Sequence, residues 1–583
     1  MKKKLMIGNQ AIARGAYEAG VTVVSSYPGT PSTEITEFMT EYKEIYSEWA
    51  PNEKVAMEVA IGASVGGARA LCAMKHVGLN VAADPLFTAS YIGVNAGLVI
   101  IVADDPGMHS SQNEQDSRHY AKAAKMPMLE PTDSQECIDF IKLAFEISET
   151  FDTPVMVRLS TRVSHSQSIV ETGDRQDVVL KDFVKDPAKY VMMPAMARKR
   201  HVFVEERMNR LLDYSNQTPI NKIINNEGGP GIITDGIAFQ YCMEALGDKA
   251  SYLKLGMVYP LPDQKLKEFY SSQEKVYVVE ELDPFIEERC KVLGLSDVIG
   301  KDLFPICGEF NAGMIKEKIL NETITDEIKI ETTEVPVRPP VMCPGCPHRG
   351  MYYVLKKAKL NVIGDIGCYT LGALPPLEAM DTCVCMGASV SMAHGIDKAR
   401  GAEFTKKTVA VIGDSTFVHS GITGLIDIAY NKGISTVIIL DNSITGMTGH
   451  QENPSTGKTL MGEPTVSLDF VKLSEAVGIK RVTVCDPFDL KGFEKIVKEE
   501  TSTEEPSVII TQRPCALLKT AQVFPPYHIN TEACRYCKMC LKVGCPSIID
   551  LGDGVVINDA LCVGCGLCAS VCPFNAIDKG EQG

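Results

Sequence analysis

Asp414 and Asn442 stand about one strand–helix–strand unit apart, each just beyond a run of apolar, β-branched residues. Thr408–Ile412 stops at Gly413-Asp414-Ser415. A helical pattern follows, with Ile422, Leu425, Ile426 and Ala429 expected on one face, and Thr436–Leu440 then stops at Asp441-Asn442-Ser443. This alternation predicts one βαβ unit of a parallel sheet. Both residues then fall at carboxyl ends of strands, where open α/β sheets bind ligands. A carboxylate and an amide oxygen there suit Mg²⁺, a hard cation that usually shares its coordination with a substrate phosphate. The helix start after Ser415 offers backbone N–H groups and a positive dipole end to an anion. Taken locally, a Gly-Asp pair before a helix is equally explained by a strand-end turn with no ligand.

The cysteines are the second chemical signal. The chain has 20, and eight of them lie in its last fifty residues. From Cys534 it reads CRYCKMCLKVGCP, and from Cys562 it reads CVGCGLCASVCP. The second run has the C-x₂-C-x₂-C-x₃-C-P spacing of two-cluster iron–sulfur proteins, and the first has four residues before its last cysteine instead of three. In such repeats the fourth cysteine of each run crosses to the other cluster. One [4Fe–4S] cluster is then expected on Cys534, Cys537, Cys540 and Cys572, and another on Cys562, Cys565, Cys568 and Cys545. Leu551–Gly554 is read as a turn between two short apolar strands. A unit this small buries too little surface to fold unaided, so metal must staple it. Zinc also takes C-x-x-C pairs, but two triple-cysteine runs that each end in Cys-Pro favour iron–sulfur. The extra residue of the first run bears on the shape or potential of the cluster that contains Cys545.

The elements that position these groups need a long chain. At 583 residues and 45 % apolar content, three to five domains with real cores are expected. A net charge of −16 disfavours nucleic acid and anionic membranes as partners. The sequence MKKKLMIGNQ turns polar too soon for a signal peptide, and the apolar stretch near Tyr91–Ala103 is too short to span a bilayer. A cytoplasmic protein is expected, in which so many cysteines are not disulfides.

Residues 1–185 read as an α/β domain. A helix (8–19) leads to a strand (21–26), the rigid turn Tyr27-Pro28-Gly29-Thr30-Pro31-Ser32, and a helix that Ser32 or Thr33 can cap. Met57-Glu58 precedes a helix rich in small residues, and Glu58 is expected to open it, where a carboxylate gains from the dipole. Locally, Glu58 is equally a plain N-terminal helix glutamate. A strand (99–103) and the polar loop His109–Asp116 follow. Arg158 and Arg162 flank another strand end and are read as salt-bridge residues. Residues 186–229 are read as a linker and 230–334 as a smaller α/β domain. The Pro-rich segment Val335–Pro340 begins a domain spanning 335–525, which contains the Asp414 and Asn442 motif. That domain also holds Cys343-Pro344-Gly345-Cys346, Cys368 and Cys515, four residues that buried thiols alone would explain. Residues 526–583 form the cysteine-rich tail.

The Gly-Asp…Asn spacing resembles the motif of thiamine-diphosphate (ThDP) enzymes, with Gly-Asp-Ser here for the usual Gly-Asp-Gly. Tyr-Pro-x-Thr-Pro-Ser followed by a glutamate and a Gly/Ala-rich helix resembles the 2-oxoacid:ferredoxin oxidoreductases. In domain order the whole chain resembles the α subunits of the indolepyruvate branch of that family. The resemblance implies an α/β multidomain fold with two ThDP-type parallel-sheet domains, a transketolase-C-terminal-like domain at 230–334 and a two-[4Fe–4S] ferredoxin-like tail. It implies ThDP and Mg²⁺ as cofactors, with Asp414, Asn442 and the Ile444 carbonyl holding Mg²⁺ against the diphosphate. Gly413, Ser415, Met386, Gly387 and Ser389 are implied as further cofactor contacts, Met386 lying under the cofactor. It implies Glu58 beside N1′ of the aminopyrimidine and Thr30 beside the substrate carbonyl. A third cluster near ThDP is implied on Cys343, Cys346, Cys368 and Cys515. The implied reaction is oxidative decarboxylation of an aryl pyruvate to aryl-acetyl-CoA in anaerobic aromatic amino acid catabolism, with ferredoxin as acceptor. A smaller β subunit with a γ-type domain is implied as partner, in a heterotetramer of two α and two β chains. Nothing in the residues says "aromatic", so pyruvate, 2-oxoglutarate or branched-chain oxoacids remain alternatives, as does a non-catalytic electron-transfer subunit.

Overall fold

The computed structural model describes residues 2–322 and 339–579. The chain divides into two compact units, Met1–Glu331 and Thr332–Gly583. The domain boundary expected at residues 334 and 335 lies outside the described residues.

The first unit is built on a seven-stranded sheet. Its parallel centre runs Val155–Ser160, Leu98–Asp104, Ala70–Lys75, Val23–Ser26, Tyr46–Trp49. Met128–Leu129 extends it in parallel and Met257–Tyr259 closes that edge antiparallel. The three middle strands are buried along their whole length, which is why they read as unbroken apolar runs rather than alternating ones. Alternate residues serve opposite cores. Cys72, Met74, Ile100 and Val102 join one cluster, and Leu71, Ala73, Val99 and Ile101 the other, as the two-residue period of a strand requires.

A second sheet follows in the order Val276–Val279, Gly231–Asp235, Ser251–Leu255, Lys222–Ile224, with the last strand antiparallel. Residues 186–229, read as a linker, carry the helix Pro194–Gln217 and the edge strand Lys222–Ile224. The helix buries Val204, Arg207, Leu211 and Ser215, one stripe at helical spacing. The charges that suggested a linker cover its exposed faces.

The second unit has a five-stranded, wholly parallel sheet: Asn361–Ile363, Thr408–Gly413, Thr436–Asp441, Ser507–Gln512, Arg481–Cys485. Between its second and third strands the chain forms a short helical turn at Asp414–Thr416, a π-turn at Phe417–Gly421 and the helix Ile422–Tyr430. A π-turn inserts one residue and rotates everything after it. The buried stripe is accordingly Gly424, Leu425 and Ile428, and Ile426, expected on that stripe, is exposed. The tail adds two antiparallel pairs, His528–Ile529 with Ile577–Asp578 and Ile548–Asp550 with Val555–Ile557. Among the described residues no helix is long and apolar enough to cross a membrane.

One buried arginine, Arg118, ties the two sheets of the first unit together, and a second, Arg158, braces the strands of the first sheet. Arg118 pairs with Asp116, Asp235 and Glu280, and Arg158 with Asp104 and Glu130, all buried. Arg162 makes a surface pair with Glu309 instead. Buried charges persist only when paired, and here carboxylates outnumber guanidinium groups. Burial pushes Glu130 up to about 8 and Glu280 and Glu281 to about 7, in spite of the nearby arginines. Their folded pKa values exceed the unfolded ones, so the stability they contribute is complete below about pH 4.5 and is lost as pH rises through 7 and 8. The thermal midpoint of this unit should therefore fall from about pH 6 to about pH 9, and Glu130→Gln should flatten that fall. A midpoint that rises over this range by calorimetry would contradict the assignment.

Candidate cofactor sites

In the second unit, the strands ending at Gly413 and Asp441 deliver their following residues to one place. Asp414 is buried, its Oδ1 accepts the Ser415 N–H at 2.6 Å, and its Oδ2 has no hydrogen-bond partner in the protein. Burial, reinforced by the Asp441 carboxylate, pushes its pKa up to about 8; the N–H groups of Ser415, Ile444 and Ser443 oppose the rise without cancelling it. A buried carboxyl with an unsatisfied oxygen is the environment a bound cation completes. Asn442 lies next to it and is also buried, its Oδ1 3.3 Å from the Ile444 N–H. Ser443 turns the chain between them at φ 59°, a left-handed step that brings Ile444 back toward the carboxylate. The residues expected to hold Mg²⁺ thus follow two adjacent strands of the sheet, with the Ile444 N–H turned to the Asp414 carboxylate.

The loop 385–389 is held by Asp365. Its two carboxylate oxygens accept the N–H groups of Gly387 and Ser389, each at 2.9 Å, and Ile366 adds a third bond at 2.9 Å. The signal for Asp365 in the sequence is a Gly-Asp pair after the short strand Asn361–Ile363, as at Asp414. Gly387 precedes the helix Ala388–Arg400 at φ 87°, and a Cβ there would lie 2.5 Å from the Ser420 Cβ. Glycine is needed twice over, for its dihedral and for its neighbour. Ser389 Oγ is buried without a partner, and Met386 is half-buried. Gly413 packs against the Tyr369 ring, which lies 2.7 Å from where its Cβ would be.

The twelve cysteines expected as ligands, of the 20 in the chain, fall into three groups. One cavity is lined by Cys534, Cys537, Cys540 and Cys572, and a second by Cys545, Cys562, Cys565 and Cys568. The crossover of the fourth cysteine expected from spacing is therefore the arrangement in space. The donor set is all sulfur, four to a cavity, which fits [4Fe–4S]. In the third group burial first, and then the proximity of the other thiols, raises Cys346 (Cys368 and Cys343), Cys368 (Cys515 and Cys343) and Cys515 (Cys343). The Cys515 N–H donates to the Asn442 carbonyl at 2.9 Å.

In the first unit the carboxyl ends of the parallel strands carry the expected residues, with one correction. The helix after strand Tyr46–Trp49 begins at Glu53, capped by the Asn52 side chain. Glu58, expected to open it, lies in its second turn, about half exposed and ion-paired to Lys54. Glu53 is the buried carboxylate (5 % exposed), and its side chain lies against Gly78. The Asn-Glu pair at 52 and 53 was the missed signal, an N-cap followed by an acidic first turn. Thr30 is half-buried, and its carbonyl accepts from Ser110 Oγ at 3.2 Å. Lys75, at the end of its strand, packs on Gly29 and donates to the Ser110 carbonyl at 2.6 Å. The segment Lys75–Gly78 thus touches both the Thr30 turn and Glu53.

Gly387→Ala should cost roughly 1–3 kcal/mol of stability and loosen the 385–389 loop. Thermal unfolding checks the first effect and ThDP titration by fluorescence quenching the second; an unchanged variant in both would show that the loop tolerates a side chain.

Family profiles match three stretches. Residues 14–219 match the pyruvate flavodoxin/ferredoxin oxidoreductase, thiamine diP-bdg family. Residues 365–511 match the thiamine pyrophosphate enzyme, C-terminal TPP binding domain, and residues 555–578 a 4Fe-4S binding domain. The indolepyruvate oxidoreductase subunit IorA of Archaeoglobus fulgidus is 40% identical over 617 residues, covering 100% of this chain and 98% of that one. The proteins of the same name from Pyrococcus horikoshii and Methanothermobacter thermautotrophicus are 40% and 38% identical, again covering 100% of this chain and 98% of each relative. With both thiamine-diphosphate regions and the [4Fe–4S] tail matched within one full-length likeness, the chain belongs to the family of indolepyruvate oxidoreductase subunit IorA, among the thiamine-diphosphate-dependent 2-oxoacid oxidoreductases.

Proposed function

We propose that this chain is the catalytic subunit for oxidative decarboxylation of aryl pyruvates, indolepyruvate among them, to aryl-acetyl-CoA and CO₂, with electrons leaving through [4Fe–4S] clusters to ferredoxin. The observation that carries this reading is the bond from the Cys515 N–H to the Asn442 carbonyl. It joins a residue proposed to ligate iron to one proposed to ligate Mg²⁺, so the sites for carbon chemistry and electron removal are neighbours on one backbone.

ThDP, when bound, supplies an electron sink that lets a 2-oxoacid lose CO₂. The protein's part is to hold and tune it. Asp414, Asn442 and the Ile444 carbonyl are the proposed Mg²⁺ ligands, with Gly413 and Ser415 at the diphosphate. Met386, Gly387 and Ser389 are the proposed contacts of the rings. For the carboxylate beside N1′ the support favours Glu53 over Glu58. Glu53 is buried at a helix start, whereas Glu58 is half exposed in the second turn and paired with Lys54 on the surface. Thr30 is the proposed neighbour of the substrate carbonyl.

Electrons are proposed to pass from a cluster on Cys343, Cys346, Cys368 and Cys515 to the Cys545-containing cluster and then to the Cys534-containing one. The support is that Pro344 and Gly345, from the first loop, line the cavity of the second set. The division into 1–185, 230–334, 335–525 and 526–583 is kept as the functional one, with 186–229 no linker but a packed helix and an edge strand of the second sheet. A β subunit with a γ-type domain, coenzyme A, an α₂β₂ assembly and a cytoplasmic, anaerobic setting complete the proposal. Aryl specificity rests on the names of the relatives.

Anaerobic assay of the α–β complex with coenzyme A against indolepyruvate, phenylpyruvate, pyruvate and 2-oxoglutarate tests it. Ferredoxin reduction fastest with an aryl pyruvate is expected, and preference for pyruvate or 2-oxoglutarate would overturn the specificity. Glu53→Gln should lower turnover about 10²–10⁴-fold with the cluster EPR signals intact, while Glu58→Gln should stay within a few-fold of wild type. The opposite pattern would return the role to Glu58.

A further inference from the structure

We propose that Arg349 is a positioning residue between two iron–sulfur clusters: it ties the Cys343–Cys346 loop to the Cys545 loop and holds a fixed positive charge that favours the reduced form of both. The inference rests on the reading above that both cysteine sets hold clusters.

Arg349 is the second residue of the helix His348–Lys357 and is 2 % exposed. Its guanidinium donates to four backbone carbonyls. Cys343, at 3.0 Å, and Met342 lie in the loop just before the helix; Val543, at 3.3 Å, and Gly544 lie in the tail, nearly two hundred residues away. Among the described residues no carboxylate forms an ion pair with it. A buried cation without a counter-charge is unfavourable. Burial lowers its pKa from the usual arginine value, and the groups that would oppose this once ionised are the sulfurs of Cys545, Cys346, Cys343 and Cys565, members of two different sets. Arg349 also lines the cavity that Cys545, Cys562, Cys565 and Cys568 surround. Clusters held by four thiolates are anionic, so they supply the counter-charge that the protein alone omits.

This accounts for the irregular first cysteine run. Its extra residue is taken up by a 3₁₀ turn, Cys540–Val543, and by Gly544 at φ 69°. That turn presents the two carbonyls, 543 and 544, that bind the guanidinium. A Cβ on Gly544 would lie 3.1 Å from Arg349 Nη1, so the spacing and the glycine together make room for the bond.

An electron that crosses from the first set to the second oxidises one cluster by one and reduces the other by one. Arg349 keeps its proton throughout, so the step needs no proton transfer. Cluster potentials respond to net charge, hydrogen bonding and burial, and a charge shielded from water acts strongly.

The test is EPR-monitored redox titration of the anaerobic α–β complex, with iron counted in each preparation. Wild type should hold about twelve iron atoms per α chain in three clusters; about eight would remove the cluster on Cys343, Cys346, Cys368 and Cys515, and this inference with it. Given twelve, Arg349→Gln should shift the midpoints of the Cys343-set and Cys545-set clusters to lower potential and leave the Cys534-set cluster near wild type. Wild-type midpoints, or an equal shift in all three clusters, would overturn the role of Arg349 while leaving the cluster reading intact. Arg349→Lys keeps the charge and should restore both midpoints most of the way. It decides the matter if the glutamine variant fails to retain iron: a small residual lowering confined to the Cys343 and Cys545 sets supports the proposal, and midpoints at wild type in all three clusters, or displaced equally in all three, would refute it.

Discussion

A carboxylate buried with an oxygen that nothing satisfies is a fault in an isolated protein and a binding site in a loaded one. Asp414 Oδ2 is such an atom. Its surroundings follow from the parallel sheet. Strands buried on both faces leave only their carboxyl ends free to carry polar residues, and those of Thr408–Gly413 and Thr436–Asp441 are adjacent. The left-handed turn at Ser443 shapes the space next to that carboxylate. The proposed placement of Mg²⁺ and of the cofactor depends on it.

The same economy governs the cysteines. The tail has a small core, of which Val543, Ile548, Val555, Leu567 and Ile577 are the main apolar members, and sulfur lines both of its cavities. Metal bound there would contribute folding energy as well as the proposed route for electrons. Arg349 belongs to this scheme because its charge, like that of Asp414, is left for a bound group to answer. In the first unit charge is treated differently: Arg118 and Arg158 are answered from within by carboxylates, and through Arg118 the network joins the two sheets.

Sequence alone determined the parallel βαβ unit, because fully buried strands must be apolar and β-branched and must end in polar turns. It also determined both crossed cysteine sets, since the spacing of a cluster ligand run is set by the size of the cluster and not by the rest of the fold. Only the tertiary structure could decide which of two glutamates five residues apart is buried, because Asn52 and Glu53 carry the cap while the small-residue pattern runs on past Glu58 without marking where the helix begins. It also decided the phase of the Ile422–Tyr430 helix, which a π-turn shifts by one residue, and the value of the surplus residue before Cys545. Local spacing records none of these, since each depends on what lies opposite in space: a glycine at 78, a serine at 420, or a guanidinium brought from residue 349 to residue 544.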